Sequence, residues 1–385
     1  MTTTEILSHL VAFPVLGGES NLSIIRWIAD YLRDQGVEYT LVPDETGEKA
    51  CLHCRIGPAT DGGIILSGHT DVVPTVGQPW DTDPFELTPR GDKLYARGSC
   101  DMKGFLASCL AAVPRLRVAE LRRPVYFAFS FDEEVGCRAG DLLAGAIRDH
   151  YTERPAGAII GEPTMMQPMV GQKGIMVYTT VVRGSQGHSS RIRDEVDAVH
   201  EAAHLILWLE DKMHRLIEAG RTDDRFSPNH TSIHVGKIAG GSAFNIIANE
   251  CRFEWDYRNI PLDDAAKIFA DFEAFCCQRE ELRRTVYPEF SITHLPFHPP
   301  VPPLDTAEDA PIVDLVKRIS GNSRTGTVAY AAEAGQFSNA GFPSVICGPG
   351  DIAQAHRANE FVAREQLDRC DAMIAALAEE LSATE

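Results

Sequence analysis

Apolar positions recur along the chain in two rhythms. In NLSIIRWIADYLRDQG, Ile24, Ile25, Ile28 and Leu32 fall at helical spacing, and Gly36 closes the segment. GGIILSGHTD, RRPVYFAFSFDEE and GAIIGEPT are instead short continuous apolar runs, the pattern of strands buried on both faces. Helix-like and strand-like segments alternate to about residue 170, which predicts an α/β layer fold. Each of the three runs ends in polar side chains able to bind a metal. That is where an open α/β sheet presents its active site, outside the carboxyl ends of its strands.

The rhythm changes after Lys173. MVYTTVVRG reads as a strand, VDAVHEAAHLILWLEDKMHRLIEAG as a long helix, and TSIHVGKIAGG and CRFEWDYRNI as further strands. In the last of these Cys251, Phe253, Trp255 and Tyr257 alternate with Arg252, Glu254, Asp256 and Arg258, the period of a sheet covered on one side. PLDDAAKIFADFEAFCCQRE returns to helix. This order predicts a small α+β module of ferredoxin-like type at 174–291. It is inserted into a larger α/β domain with an open mixed sheet, formed by 1–173 and 292–385. Proline-rich HLPFHPPVPPL (294–304) marks the way back, and VKRISGN, GFPSVICGPG and the helical EQLDRCDAMIAALAEEL complete the larger domain.

Bulk composition narrows the function. A chain of 385 residues with 44% hydrophobic and 24% charged residues is that of a soluble globular protein of two domains, or of one large domain with an insertion. A formal charge of −19 argues against a nucleic-acid partner, which needs a basic face. MTTTEILSHLVAFPV lacks the basic start and apolar core of a secretory signal, and no apolar stretch reaches the ~18 residues of a membrane span. The ten cysteines lack the spacing of a disulfide framework, so a reducing cytoplasm is the expected setting. Cys51 and Cys54 form a C-x-x-C within a predicted strand, which points their thiols to opposite faces.

Candidate chemistry gathers in five segments: His69 and Asp71 in SGHTDVVP, Asp101 in RGSCDMKG, Glu133 and Glu134 in FDEEVG, Glu162 in IIGEPT, and His356 in IAQAHRANE. One such residue after a strand is ordinarily a turn residue or a satisfied polar group. Their joint occurrence among glycines that permit close backbone approach points to a metal centre. Two histidines and three carboxylates suit a pair of zinc ions, which accept nitrogen and oxygen ligands and leave positions open for water. Adjacent Glu133 and Glu134 point opposite ways along an extended segment, so one can neutralise metal charge while the other stays free.

These motifs resemble the di-zinc aminoacylase and carboxypeptidase family that includes acetylornithine deacetylase and succinyl-diaminopimelate desuccinylase, over essentially the whole chain. GSCDMKGF and AEAGQFSNAGFPSVICGPGDIAQAH look most like the acetylornithine deacetylase branch. The resemblance implies that Asp101 bridges two metals, that His69 and Glu162 complete one site, and that Glu134 and His356 complete the other. It implies Glu133 as general base, Asp71 hydrogen-bonded behind the His69 imidazole, and a cis peptide after Asp101. It also implies a homodimer formed by the inserted module, which would double as a lid, with His188 of RGSQGHSS reaching the partner's site as an oxyanion donor. Asn245, Arg258 and Glu333 are the implied substrate contacts. Arg258 would take an α-carboxylate and Glu333 a side-chain ammonium, although Ala332 stands where family members often carry a hydroxyl residue. The implied reaction is hydrolysis of an N-acyl amino acid, with N2-acetyl-L-ornithine of arginine biosynthesis as leading substrate and cobalt as a substitute for zinc.

Three other readings stand beside this one. His200, Glu201 and His204 spell H-E-x-x-H, the zinc-protease spacing, on a helix whose Val196, Val199, Ala203 and Leu207 form an ordinary packing face. A metal-stabilised interaction protein without catalysis is the second. The third is a deacylase of another substrate, such as N-succinyl-diaminopimelate or a neutral N-acyl amino acid, since pocket residues redirect specificity without touching the ligands.

Overall fold

The computed structural model describes residues 1–383. The chain divides into two compact units: Met1–Gly171 with Leu304–Thr327 and Ala332–Glu385, and Gln172–Pro303 with Val328–Ala331. The insertion therefore runs further than the sequence suggests, to Pro303 rather than residue 291. The reason is an unpredicted strand, Ser291–Pro296, which pairs with Met176–Arg183 in the inserted sheet. Only after the proline-rich stretch does the chain rejoin the first unit.

The first unit is built on a mixed sheet. Its central order is Tyr39–Pro43, Ala50–Ile56, Val125–Ser130, Ile64–His69, Gly157–Pro163 and Ser344–Gly348. The last four strands run parallel, and Ala50–Ile56 joins them antiparallel. Every residue of Val125–Ser130, Ile64–His69 and Gly157–Pro163 is buried, as their unbroken apolar runs require.

Two helical crossovers aim the site. Lys103–Val118 links Ile64–His69 to Val125–Ser130, and Gly140–His150 links Val125–Ser130 to Gly157–Pro163. The second connection travels back across the sheet in the opposite direction to the first. Right-handed crossovers then place these two helices on opposite faces. The reversal leaves a crevice at the carboxyl ends, the place where open α/β sheets bind ligands. Lys103–Val118 is apolar nearly all round, with Phe105, Leu106, Cys109, Leu110 and Val113 fully buried. It packs against Thr3–Val11 and Arg364–Ser382 as well as the sheet. Gly161 makes the closest of these approaches possible, because a Cβ there would lie 2.0 Å from the Phe105 ring.

The second unit is a four-stranded antiparallel sheet ordered Ser232–Gly240, Glu250–Arg258, Met176–Arg183, Ser291–Pro296. Helices Ala198–Glu218 and Ala265–Arg284 pack on it. Cys251, Phe253, Trp255 and Tyr257 all turn into its core with Leu205, Leu209 and Phe272, as their alternation predicts. Trp255 satisfies its indole N–H by donating to Thr180 Oγ1 at 2.9 Å.

Candidate metal centre

Each strand of the parallel set delivers donors at its carboxyl end. His69 is the last residue of Ile64–His69, and Glu162 lies near the end of Gly157–Pro163. Glu133 and Glu134 follow Val125–Ser130 within a turn flanked by Asp132 at φ 57° and Cys137 at φ 47°. His356, at φ 62°, lies on the loop after Ser344–Gly348. Asp101 precedes the helix Lys103–Val118, and the Asp101–Met102 peptide is cis.

Asp101 stands between the two histidines. Its Oδ1 is 3.1 Å from His69 Nε2 and its Oδ2 is 3.4 Å from His356 Nε2. On the first side Glu162 Oε1 lies 3.8 Å and Glu133 Oε2 4.0 Å from the same His69 nitrogen. On the second side Glu134 Oε2 is 2.9 Å from His356 Nε2. One donor atom from each of His69, Glu133 and Glu162, and likewise from each of His69, Asp101 and Glu134, falls within 4.8 Å of the others. The five expected ligands are thus brought together, with Glu133 among them.

The donor set fits cations on chemical grounds. His69 Nδ1 is 2.9 Å from the carbonyl oxygen of Asp71, which only accepts, so Nδ1 carries the proton. Nε2 of a neutral ring then presents a lone pair to the carboxylates of Asp101, Glu133 and Glu162. Acceptor faces acceptor in a buried space, an arrangement that needs a proton or a metal ion between the atoms.

The titration shifts record the same frustration. Burial opposes a charged His69, but the hydrogen bond with Asp101 and the charges of Glu133 and Glu162 outweigh it and hold its pKa well above the usual value. Hydrogen bonds to Asp101 and Glu134 push His356 up to about 10. Burial, reinforced by Asp101, raises Glu134 to about 7 and drives Glu162 well above the carboxylate range. Burial also drives Glu133 well above that range, with Glu134 and Asp101 adding to it. Asp101 moves down, because the two histidines outweigh its burial. Carboxylates and imidazoles crowded this way are what a bound cation would relieve.

Asp71 departs from expectation. The backbone carbonyl, not the carboxylate, contacts the imidazole, and Asp71 Oδ1 stays 3.7 Å from His69 Nδ1. The carboxylate instead accepts from the backbone N–H of Glu133 at 3.2 Å and of Glu134 at 3.1 Å. It fixes the turn that carries both glutamates. Cys137, which the sequence reading passed over, donates its thiol to Glu133 Oε1 at 3.2 Å. Its position four residues after Glu133 was visible in the sequence, but the left-handed turn that brings it back was not.

Glu333 is 1% exposed at the start of the short helix Ala334–Asn339, with Oε1 lacking a hydrogen-bond partner, and burial pushes its pKa up to about 7. It lies close enough to the donor cluster for the charges of His69 and Asp71 to act on it. The other expected substrate and oxyanion residues belong to the second unit. There the His188 loop pairs with the Asn245 loop: His188 bridges Ile246, and Ser189 N–H donates to the Asn245 carbonyl at 3.0 Å. Ser190 N–H donates to His188 Nδ1 at 3.2 Å, which leaves Nε2 as the protonated nitrogen. Arg258 is half-buried, with Nε 3.6 Å from Asp256 Oδ1.

The H-E-x-x-H helix has no room for a metal role. Glu201 is 2% exposed and bound by Arg279 through two hydrogen bonds of 2.8 Å, and by Arg283 at 2.6 Å. Its carboxylate is a buried ion-pair anchor between Ala198–Glu218 and Ala265–Arg284. Cys51 and Cys54 are free and buried.

Comparison with known proteins agrees with this geometry. A profile of peptidase family M20/M25/M40 matches residues 65–380. The chain belongs to this family. It is 34% identical over 376 residues to acetylornithine deacetylase from Klebsiella pneumoniae (strain 342), covering 93% of this chain and 92% of that protein. The identity and coverage are the same for the acetylornithine deacetylase of Salmonella arizonae. Among solved structures, the M20 metallo-carboxypeptidase Sso-CP2 from Sulfolobus solfataricus superimposes with a TM-score of 0.78 at 17% identity, covering 99% of both chains. A dinuclear metal-binding M20 peptidase from Bacillus subtilis gives 0.63 at 14% identity, over 98% of this chain and 96% of that one. As an M20 protein the chain is a metal-dependent amide hydrolase with the family's mixed α/β fold, and the clustered donors belong to a family that binds paired metal ions. No helix among the described residues is long and apolar enough to cross a membrane.

Proposed function

We propose that this M20 hydrolase removes the acyl group from an N-acyl amino acid, with N2-acetyl-L-ornithine giving L-ornithine and acetate as its leading reaction. The observation that carries the reading is Asp101, whose two oxygens face two different histidines 3.1 and 3.4 Å away. That is the arrangement a bridging carboxylate needs. His69 and Glu162 would hold one ion and Glu134 and His356 the other, zinc by the nitrogen and oxygen character of the set, with cobalt able to replace it. A bound pair would polarise the amide carbonyl and acidify a water molecule.

The chain's own groups do the remaining work. Glu133, with Oε1 held by Cys137, takes the proton of the attacking water and returns it to the departing amine. Both glutamates keep their places because Asp71 grips their amides. His188, protonated on Nε2, is suited to donate to a developing oxyanion, and Asn245 lies on the loop paired with it. Arg258 is the proposed fork for the α-carboxylate. We assign the chain a homodimer through the second unit, whose edge strand Ser232–Gly240 is largely exposed and carries Ile238 at 53%. A reducing cytoplasm and a place in arginine biosynthesis complete the proposal. The free cysteines suit the first, and the 34% identity to acetylornithine deacetylases supports the second.

The test is a panel of N-acetylornithine, N-acetylmethionine and N-succinyl-diaminopimelate, offered to chelator-treated protein before and after zinc or cobalt is restored. The proposal expects activity only after restoration, with the highest kcat/KM on acetylornithine. A preference for either of the other two would reassign the substrate, and activity without metal would end the reading.

A further inference from the structure

Glu360 lies four residues beyond His356 and takes no part in the donor set. It is 1% exposed, and all four acceptor positions of its carboxylate are used. Oε1 accepts from the backbone N–H of Cys100 at 2.8 Å and of Asp101 at 3.0 Å. Oε2 accepts from Gly98 N–H at 3.0 Å and from Arg97 Nη1 at 2.8 Å. Three backbone amides of one loop, the last that of Asp101 itself, are thereby tied to a single side chain.

The same side chain also reaches towards His356. Arg97, likewise 1% exposed, donates through Nη2 to Gln78 Oε1 at 2.5 Å, and Gln78 Nε2 donates to the backbone carbonyl of His356 at 2.9 Å. Trp80 holds this relay in place, donating to the same Gln78 oxygen at 3.1 Å and lying beneath the Arg97 guanidinium. The loop between His356 and Glu360 is fastened once more, by Asp81 N–H to Asn359 Oδ1 at 2.9 Å.

The two segments that carry Asp101 and His356 lie far apart in sequence, and His356 has a half-exposed side chain on an irregular loop. A short strand pair, Phe361–Ala363 against Lys93–Tyr95, and the Ala96 N–H donated to the Glu360 carbonyl at 3.1 Å bring the two segments side by side, but they stop short of Asp101 and His356 themselves. The Glu360–Arg97–Gln78 chain carries the connection from there to both residues. We propose that Glu360 is a positioning residue that sets the distance between Asp101 and His356, and with it the affinity of the metal centre. The inference rests on the metal-centre reading above. A glutamine at 360 cannot substitute: its NH2 would face N–H donors in either orientation, losing two bonds and opposing donor to donor.

The experiment is cobalt titration of metal-free wild-type, Glu360→Gln and Gln78→Ala proteins, followed by calorimetry and visible absorption, with circular dichroism to verify folding. Wild type is expected to take up two ions. Glu360→Gln should bind at least one ion about 10–100-fold more weakly and with an altered cobalt spectrum. Gln78→Ala, which leaves the Asp101 amide contact in place, should weaken only one of the two. A purely structural Glu360 would lower the melting temperature and leave affinities and spectrum as in wild type, which overturns the proposal. If Glu360→Gln does not fold, unchanged binding by Gln78→Ala overturns it equally. Wild type that binds no cobalt would instead defeat the metal-centre reading itself, so the two failures are told apart.

Discussion

Asp71 Oδ2 accepts the backbone N–H of Glu134 at 3.1 Å, and its Oδ1 accepts that of Glu133. A residue placed two positions after one histidine thus governs two carboxylates 62 and 63 positions further on. Asp71→Asn keeps one acceptor and turns an NH2 towards the other amide. We expect kcat/KM to fall about 10–100-fold while the far-ultraviolet circular dichroism stays unchanged. Wild-type kinetics in a folded variant would show that the turn holds itself.

Glu333, buried beside the donor cluster, tests the side-chain preference. If its carboxylate takes a substrate ammonium, Glu333→Gln should raise KM for acetylornithine far more than for acetylmethionine. An equal loss on both substrates would remove it from recognition.

The zinc-protease pattern predicts stability effects and not catalytic ones. Joint replacement of His200 and His204 by alanine should leave activity within about twofold of wild type, since both lie outside the donor cluster. Glu201→Ala removes the shared partner of Arg279 and Arg283. It should destabilise the fold by about 3 kcal/mol, the low end for breaking a buried ion pair because both arginines keep some solvent contact. Urea denaturation measures it.

Acid should weaken the fold through His53. This residue is fully buried with Nε2 unpartnered, and burial, helped by His150, lowers its pKa to about 4. Between about 6.5 and 4 the unfolded chain binds a proton that the folded chain refuses, so stability is whole above that window and declines as pH falls through it. The full shift corresponds to roughly 3 kcal/mol. Melting temperatures of wild type and His53→Gln, compared from pH 7 to pH 4, should converge as the pH drops. Parallel curves would remove His53 from the account.

Much of this organisation could be read in the chain because it rests on local pattern. Continuous runs such as VYFAFS and GAIIGEP declare buried strands, and the alternation from Cys251 to Tyr257 declares a one-sided sheet. Candidate ligands stand out where they close a buried strand, as His69 and Glu162 do, whereas Asp101 and His356 stand on loops. What stayed hidden depends on partners distant in sequence. SITHLP carries no clean alternation and becomes a strand only against Met176–Arg183. Glu201 looks like a catalytic acid until Arg279, 78 residues away, closes on it. Asp71 sits where a histidine partner belongs, yet its carboxylate bonds amides that only the folded turn brings near. Glu333 illustrates the remaining limit, since its burial at the start of a short helix is decided by packing.

Asp132 and Cys137, the two non-glycine residues held at positive φ around the glutamate pair, have a bearing on how the protein can be altered. Each left-handed residue of this kind carries about 1–2 kcal/mol of backbone strain that glycine would release. A search for hardier variants would therefore be drawn to Cys137→Gly, which relaxes the turn but deletes the thiol that steadies Glu133. Selection for heat tolerance and selection for turnover should pull this one position in opposite directions.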